Sequence, residues 1–595
     1  MIEQLVHRHS HLYLVLITLL IVVIVRQAPV DYTDGDTEHV LLTAQGLLQH
    51  GTVKLDSYIA QADGAKVLEV NGHRYSYQPV GTSFFALPAV WVANLRGYDM
   101  ADQASQASLQ RDLAAVTAAA SFVLMVLIAR CLVGMAASVL MAVAFTLGSS
   151  IASTMGAALW SHNLAIVFTL AALLLLVRDA QGRLHVRWAY LLGGLLFAAY
   201  LVRPTQLAGV VAVFGYLVIW RRSLLLRAAL GFMVPLGLLL TFFWIEYGQV
   251  LPYYYQTGRL RSWPTPQRLY GLFLSPGRGL FIYNPFLILL LPGLIFSIRR
   301  LISKPLFWLS VGWLALYMGA VSLWAYWWGG WSFGSRMLVD ALPALLLLTL
   351  LIWQDMQTAA SPRLRSLAGV SFAVLALAGI FVNTMQGLYN PWTRTWNAWY
   401  DVTEDVRYRD EAYMFDWRYP QFLASPDLVQ RRNIEYLLNE RAPLAWGEAA
   451  GPASENLAFG GWYDFAIDGA DPCRWSEGRQ ARVSFRSEPL PAGETGDIVV
   501  EITAGTHHTQ TIPVLLNKES LGVIDSRTHW EPESYVFRID ATQLRTSDQG
   551  RQVNELWFLI PGANSPASLD PKAEDPRILG LCLWELRVTP AATDD

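Results

Sequence analysis

Apolar positions in this chain come in runs of roughly 17–25 residues with few charges, the length a helix needs to cross hydrocarbon, and the runs recur until about residue 385. They fall at 12–28, 82–96, 113–131, 135–152, 159–178, 187–202, 205–220, 226–246, 280–298, 306–326, 338–353 and 364–385, and each is read as a candidate span. From Tyr389 onward the pattern changes to short alternating or apolar runs between Gly, Pro, Asn and Asp clusters. Those at 481–485, 497–503, 511–517, 534–540, 555–561 and 581–588 predict strands of an antiparallel sandwich or jelly-roll-like domain. The expected fold class is a polytopic α-helical membrane protein with a C-terminal all-β sandwich domain. Its expected parts are a transmembrane body over 1–388, a connecting segment over 389–440 and the β domain over 441–595.

Composition agrees with a bilayer as solvent: of 595 residues, 53% are hydrophobic and only 15% charged. The run at 12–25 follows Arg8 and lacks a small-residue cleavage site after it, so it is read as a retained first span. Arg221, Arg222 and Arg227, then Arg299, Arg300 and Lys304, then Arg363 and Arg365 cluster in short turns, which makes those turns cytoplasmic and the tail extracytoplasmic. An inside N-terminus with an outside tail requires an odd number of crossings, against twelve candidates; a half-span within 97–160 is the expected remedy. A net charge of −3 with no concentrated basic face excludes a nucleic-acid partner. Of three cysteines, Cys131 lies in a candidate span, while Cys473 and Cys582 are expected to join the first and last strands of the tail.

On this orientation, residues 29–81, 247–280 and 325–337 are the outer segments able to hold a site. The first opens with Asp31, Asp34, Asp36 and Glu38, four acids at the mouth of a span, costly unless hydrated or used. The second holds Arg259, Arg261, Arg268 and Arg278 on the side that the positive-inside bias disfavours, as anion-binding groups or as solvated loop charges. Ser275–Pro285 and Trp327–Arg336 each set an arginine among glycines at a membrane edge. Glycine permits close backbone approach, and a guanidinium fork suits phosphate oxygens.

The order of these motifs resembles membrane glycosyltransferases of the GT-C class, among them protein O-mannosyltransferases and the aminoarabinose transferase acting on lipid A. In that class an acidic residue opens the first outer loop and a helix follows it. Asp36 and the helix running to Gly51 match that frame, with Thr52 where an acid is usual. Tyr75–Thr82 resembles the class's Tyr-x-Pro-Pro or Lys-Pro-Pro segment, but has one proline and no lysine.

The resemblance implies a transferase of a bacterial inner membrane whose donor is a sugar on polyprenyl phosphate and whose acceptor is a hydroxyl of a lipid, a glycan or a protein. Asp36 is the expected general base, with Asp34 as alternate. Arg278, Arg336, Arg203, Tyr77, Gln78 and Tyr283 are the expected donor or phosphate contacts, and Glu38, His162 and Trp331 the expected acceptor contacts or supports. Two of these carry a plainer reading: Arg336 as an interfacial helix anchor, and Arg203-Pro204 as a turn determinant. No cofactor is expected, with a divalent metal left open by the acids at 31–38. The rival enzyme is a polysaccharide polymerase or ligase using a lipid-diphosphate donor; outside enzymes, a transporter or flippase and a non-catalytic scaffold are the alternatives.

Overall fold

The computed structural model describes residues 10–58, 66–252, 254, 265–324, 326–397, 414–439, 441–463, 473–488, 496–527, 531–545, 553–569, 575 and 577–591. Arg259 and Arg261 lie outside the described residues. The chain forms two compact units, one of residues 1–398 with 404–425 and one of residues 399–403 with 426–595, so the segment 389–440 is shared between them.

The first unit is helical. Helix α1 (Ser10–Arg26) leads into an irregular turn, α2 (Val40–His50) and a hairpin of β1 (Val67–Val70) and β2 (His73–Ser76). Then come α3 (Gly81–Leu95), α4 (Gln103–Arg130), α5 (Met135–Leu147), α6 (Ser150–Met155), α7 (Ser161–Ala180), α8 (Trp188–Val202), α9 (Leu207–Trp220) and α10 (Arg222–Tyr247). After α11 (Pro266–Leu274) the chain continues through α12 (Leu290–Leu301), α13 (Pro305–Ser322), α14 (Leu342–Ala359) and α15 (Pro362–Ile380). Among the described residues six helices are long and apolar enough to cross a membrane: Gln103–Arg130, Ser161–Ala180, Arg222–Tyr247, Pro305–Ser322, Arg336–Ala359 and Pro362–Tyr389. Two predicted spans are broken. Gly148 separates α5 from α6, and in the other a 3₁₀ turn at Pro285–Leu289 precedes α12.

Helix α3, predicted as a span, is a shorter apolar helix of fifteen residues packed against α2. Near its start the Ser83 hydroxyl donates to Val40 O (2.8 Å) at the head of α2. Just beyond its end, Gln45 of α2 donates to Asp99 (2.6 Å) and accepts from the Met100 amide (2.8 Å). Val40 and Gln45 are separated by about 8 Å of helix, so α3 is held against α2 near its start and just beyond its end. At the outset of α4, Gln110 donates to Thr37 O (3.2 Å) and Arg111 pairs with Asp31 (2.5 Å), which returns the chain to the face that carries the turn at 31–39.

Besides α3, the runs predicted as spans correspond to α1, α4, α5–α6, α7, α8, α9, α10, α12, α13, α14 and α15, eleven in all. On the opposite face Gln181 donates to Cys131 O, Arg221 pairs with Asp179 (2.7 Å) and Arg300 with Asp355 (2.8 Å). The three predicted basic turns all lie there.

The second unit is β-rich. Helix α16 (Pro426–Asn439) precedes ten strands: β3 (Ala449–Ala450), β4 (Leu457–Gly460), β5 (Arg474–Glu477), β6 (Gln480–Phe485), β7 (Asp497–Thr506), β8 (Gln510–Leu516), β9 (Glu519–Ser526), β10 (Glu533–Asp540), β11 (Asn554–Leu559) and β12 (Leu579–Pro590). They form two antiparallel sheets, β10-β7-β12-β3 with β5 also on β12, and β4-β6-β11-β8-β9. Alternation along the strands sends Val500 and Ile502 from one sheet, and Val483, Val514 and Phe558 from the other, into a shared core. All six predicted strands are present. Trp462 and Trp475 belong to the core: both are buried, and Trp462 donates its indole N–H to Arg482 O (2.8 Å). A disulfide joins Cys473 to Cys582, linking the approach to β5 with β12.

Candidate functional site

The acids of the first outer loop meet different partners because the turn at 31–39 is fixed by local hydrogen bonds. The Thr33 amide donates to Asp31 (2.7 Å), and the Thr37 hydroxyl lies within reach of the carbonyls of Tyr32 and Thr33 (3.3 Å each). Asp31 pairs with Arg111, and exposed Asp34 with Arg394 (2.5 Å). Asp36 instead faces a cavity of about 260 Å³, which it lines with Tyr77, Gln78, His162, Arg203 and Arg336. Trp160, Tyr254 and Gly329 are further wall residues.

Two cations clasp the Asp36 carboxylate. Lys66, just ahead of β1, donates to Oδ1 (2.9 Å), and Arg336 donates through Nη1 to Oδ2 (3.2 Å). Burial pushes this carboxyl's pKa up, but the charges of Arg336 and Lys66 outweigh it and bring it down to about 2. Neighbouring Glu38 goes the other way: burial and then the Asp34 charge raise it, against a smaller opposing pull from Lys66.

Arg336 is itself held for this task. Its Nη2 donates to Gly329 O (2.7 Å), its guanidinium lies 4.4 Å from the Trp160 ring centroid, and its Nε is buried without a hydrogen-bond partner among the described residues. A backbone fold at 329–334 makes this possible. Gly334 has φ +60°, and a Cβ there would sit 2.5 Å from the Tyr283 ring, so only glycine fits.

Opposite Asp36, the cavity wall rests on a buried carboxylate. Asp340 is fully buried in the turn Arg336–Ala341; its Oδ1 lies 3.0 Å from His162 Nδ1, and its Oδ2 accepts from Arg203 Nε, Thr205 (3.1 Å) and Tyr317 (3.0 Å). Arg203 also donates to the Ser161 hydroxyl (3.1 Å). Gly81 brings this wall near the Tyr77–Thr82 segment: a Cβ there would lie 2.5 Å from the Leu201 carbonyl at the end of α8.

The remaining predicted residues stand apart from the cavity wall. Arg278 is buried with its donors engaged by five acceptors: Trp328 O (2.8 Å), Gly277 O (2.7 Å), Gln421 Oε1 (2.5 Å), Gly330 O (3.1 Å) and Asn397 Oδ1 (3.1 Å). All five are neutral, and burial pushes the guanidinium's pKa down to about 10. The assignment of Arg278 as a phosphate contact is thus corrected, because a guanidinium has five N–H donors and none is left over. Tyr283 is buried, donates to Pro276 O (3.0 Å) and packs edge-on to Phe333, so it too supports the turn and leaves the cavity wall to others. Trp331 is exposed, and neither it nor Glu38 is a wall residue.

Lys66 and Asp340 were missed in the sequence. Asp340 had a readable signal, since it is the only acid in the apolar run 338–353. Among the described residues no cluster of three or more His, Cys, Asp or Glu is placed to hold a metal ion. Chemically, the site offers an ionised carboxylate, three cations and a histidine around a space for one small anionic ligand. No family model matches the chain, and a search of curated proteins returns no match.

Proposed function

We propose that the chain is an integral membrane glycosyltransferase that moves a sugar from a polyprenyl-phosphate donor to an acceptor hydroxyl, with inversion. The observation that carries this reading is the Asp36 carboxylate clasped between Arg336 and Lys66 on a cavity wall. With Arg203 and Asp340 included, and His162 neutral, this group sums to one positive charge, which favours an anionic ligand. The eleven candidate passes besides α3 and the basic turns gathered on the face away from the cavity support an inside N-terminus, a cytoplasmic basic face and an outward-opening site. The cavity's size, just below the ~300–1,000 Å³ usual for ligand pockets, favours a single sugar over the lipid-diphosphate oligosaccharide of the rival reading.

A carboxylate held at about 2 is a weak base at neutral pH. An incoming lipid phosphate competes with it for Arg336 and Lys66. As the cations turn to the phosphate, Asp36 recovers basicity and takes the proton of the acceptor hydroxyl while that oxygen bonds to the anomeric carbon. The bond from that carbon to the phosphate oxygen breaks, and its electron pair leaves on the phosphate, stabilised by the same cations.

The test compares surface glycans and glycolipids by mass spectrometry in a host lacking the gene, complemented with wild type or with Asp36→Asn. Wild type is expected to restore a one-sugar mass increment, and Asp36→Asn to supply it ~10²–10⁴-fold more slowly at equal expression. Full restoration by Asp36→Asn sinks the assignment of the base.

A further inference from the structure

His162 is a cavity residue with a fixed acceptor and no role in the reaction just described. It sits in the first turn of α7 and is 2% exposed. Its Nδ1 is 3.0 Å from Asp340 Oδ1, and Asp340, bonded also to Arg203, Thr205 and Tyr317, is an ionised acceptor with no freedom to turn. An ionised carboxylate cannot donate, so the proton of the neutral ring lies on Nδ1 and the lone pair on Nε2. That Nε2 has no hydrogen-bond partner among the described residues, on a side chain that lines the cavity. The same wall carries the guanidinium groups of Arg203 and Arg336, which only donate.

Arg336 lines the same cavity as both acceptors, bonded to Asp36 and stacked over Trp160, two residues before His162. A phosphate on Arg336 therefore shares the cavity with both acceptors. One, on the proposed function, receives the proton of the attacking hydroxyl; the other is free for the group the phosphate carries.

We propose that His162, its tautomer set by Asp340, is the hydrogen-bond acceptor that holds the transferred sugar through one of its hydroxyl or amino groups. The inference rests on the proposed function and adds the substrate class: the sugar must carry a free N–H or O–H at the position facing Nε2. A buried acceptor built for such a group rejects the analogue lacking it, because the acceptor is left unpaired in the complex. His162 is here a positioning residue for the sugar and takes no proton in the reaction.

The experiment measures binding to the full chain in lipid nanodiscs of farnesyl phosphate alone and of farnesyl phosphate bearing D-glucose, D-mannose, D-galactose or L-arabinose. The wild type is expected to prefer at least one glycoside to bare farnesyl phosphate by about tenfold or more. His162→Phe, which keeps the ring's bulk without an acceptor, should bring that ratio close to one. His162→Gln, which retains an acceptor oxygen, should recover part of it. The same glycoside with the contacted hydroxyl replaced by hydrogen should bind wild type and His162→Phe alike. A merely structural role for His162 would weaken bare farnesyl phosphate and the glycosides together and leave the ratio unchanged. An unchanged ratio in His162→Phe, or no preference in the wild type for any of the four sugars, overturns the inference while lipid-phosphate binding stands. Absence of binding by farnesyl phosphate itself overturns the proposed function and this inference with it.

Discussion

Arg278 and Arg336 look alike in the sequence, each an arginine among glycines in a turn at the end of an apolar run, and the fold uses them in opposite ways. Arg278 spends its donors on carbonyls and amides of its own unit and ties the 277 turn to the 328–330 turn, to Asn397 and to Gln421. Arg336 has one nitrogen unpaired among the described residues and directs another to a carboxylate on the cavity wall. A glycine-flanked arginine is therefore uninformative until its donors are counted: one with none to spare is an internal brace, and one with donors in reserve can bind.

The contrast is sharpest under substitution. Arg278→Met takes a donor from five acceptors in and around two turns, of which Gln421 Oε1 keeps the Gly334 amide, at a cost of roughly 3 kcal/mol or more. The expected result is loss of monodisperse protein in detergent or a large drop in Tm. Arg278→Lys, with three donors for five acceptors, should rescue little, and a wild-type Tm in either variant would break the comparison. Next, Arg336→Met should lower turnover of a polyprenyl-phosphate sugar by about 10²-fold or more, as removal of one transition-state donor does. Its Tm should shift by no more than about 4 °C, and a larger fall in Tm than in turnover would make Arg336 a second brace.

The smallest effect concerns Lys66→Met. Removing one cation deletes a contribution that lowers the Asp36 pKa while burial, which raises it, persists; the carboxyl then titrates above about 2, toward or beyond the ordinary carboxylate value. Activity that needs ionised Asp36 is then lost at a higher pH as the medium is acidified. The acid limb of kcat/KM, measured from about pH 3 to 8, should move up, with less than about a tenfold change at neutrality. A limb that stays in place removes Lys66 from the site.

How much of this was legible depends on whether the controlling interaction is local. The strands of the second unit were readable because alternation of apolar residues is set by the strand itself, as in β7, where Ile498, Val500 and Ile502 all face the core. The helices were readable as apolar runs, but that the run at 82–96 packs on α2 through Ser83 and Asp99 depends on partners some forty to fifty residues away and was not. Asp36 was readable from its acidic neighbourhood and motif frame. Lys66 was not: it reaches Asp36 from thirty residues away. Tyr283 and Arg278 were assigned to the ligand because nothing local shows that Pro276 and the 328–330 carbonyls claim them first.

The course of α3 also bears on how such a protein is made. If the helical unit is threaded into a bilayer during synthesis, a fifteen-residue apolar segment emerges soon after the first anchor and, on the proposed orientation, must be refused as a crossing. Were it accepted, every later pass would be inverted and the basic turns would face outward. Pro88 in its middle and the acids Asp99 and Asp102 just behind it weigh against acceptance. In the folded chain Asp99 has a second use, accepting a hydrogen bond from Gln45 of α2.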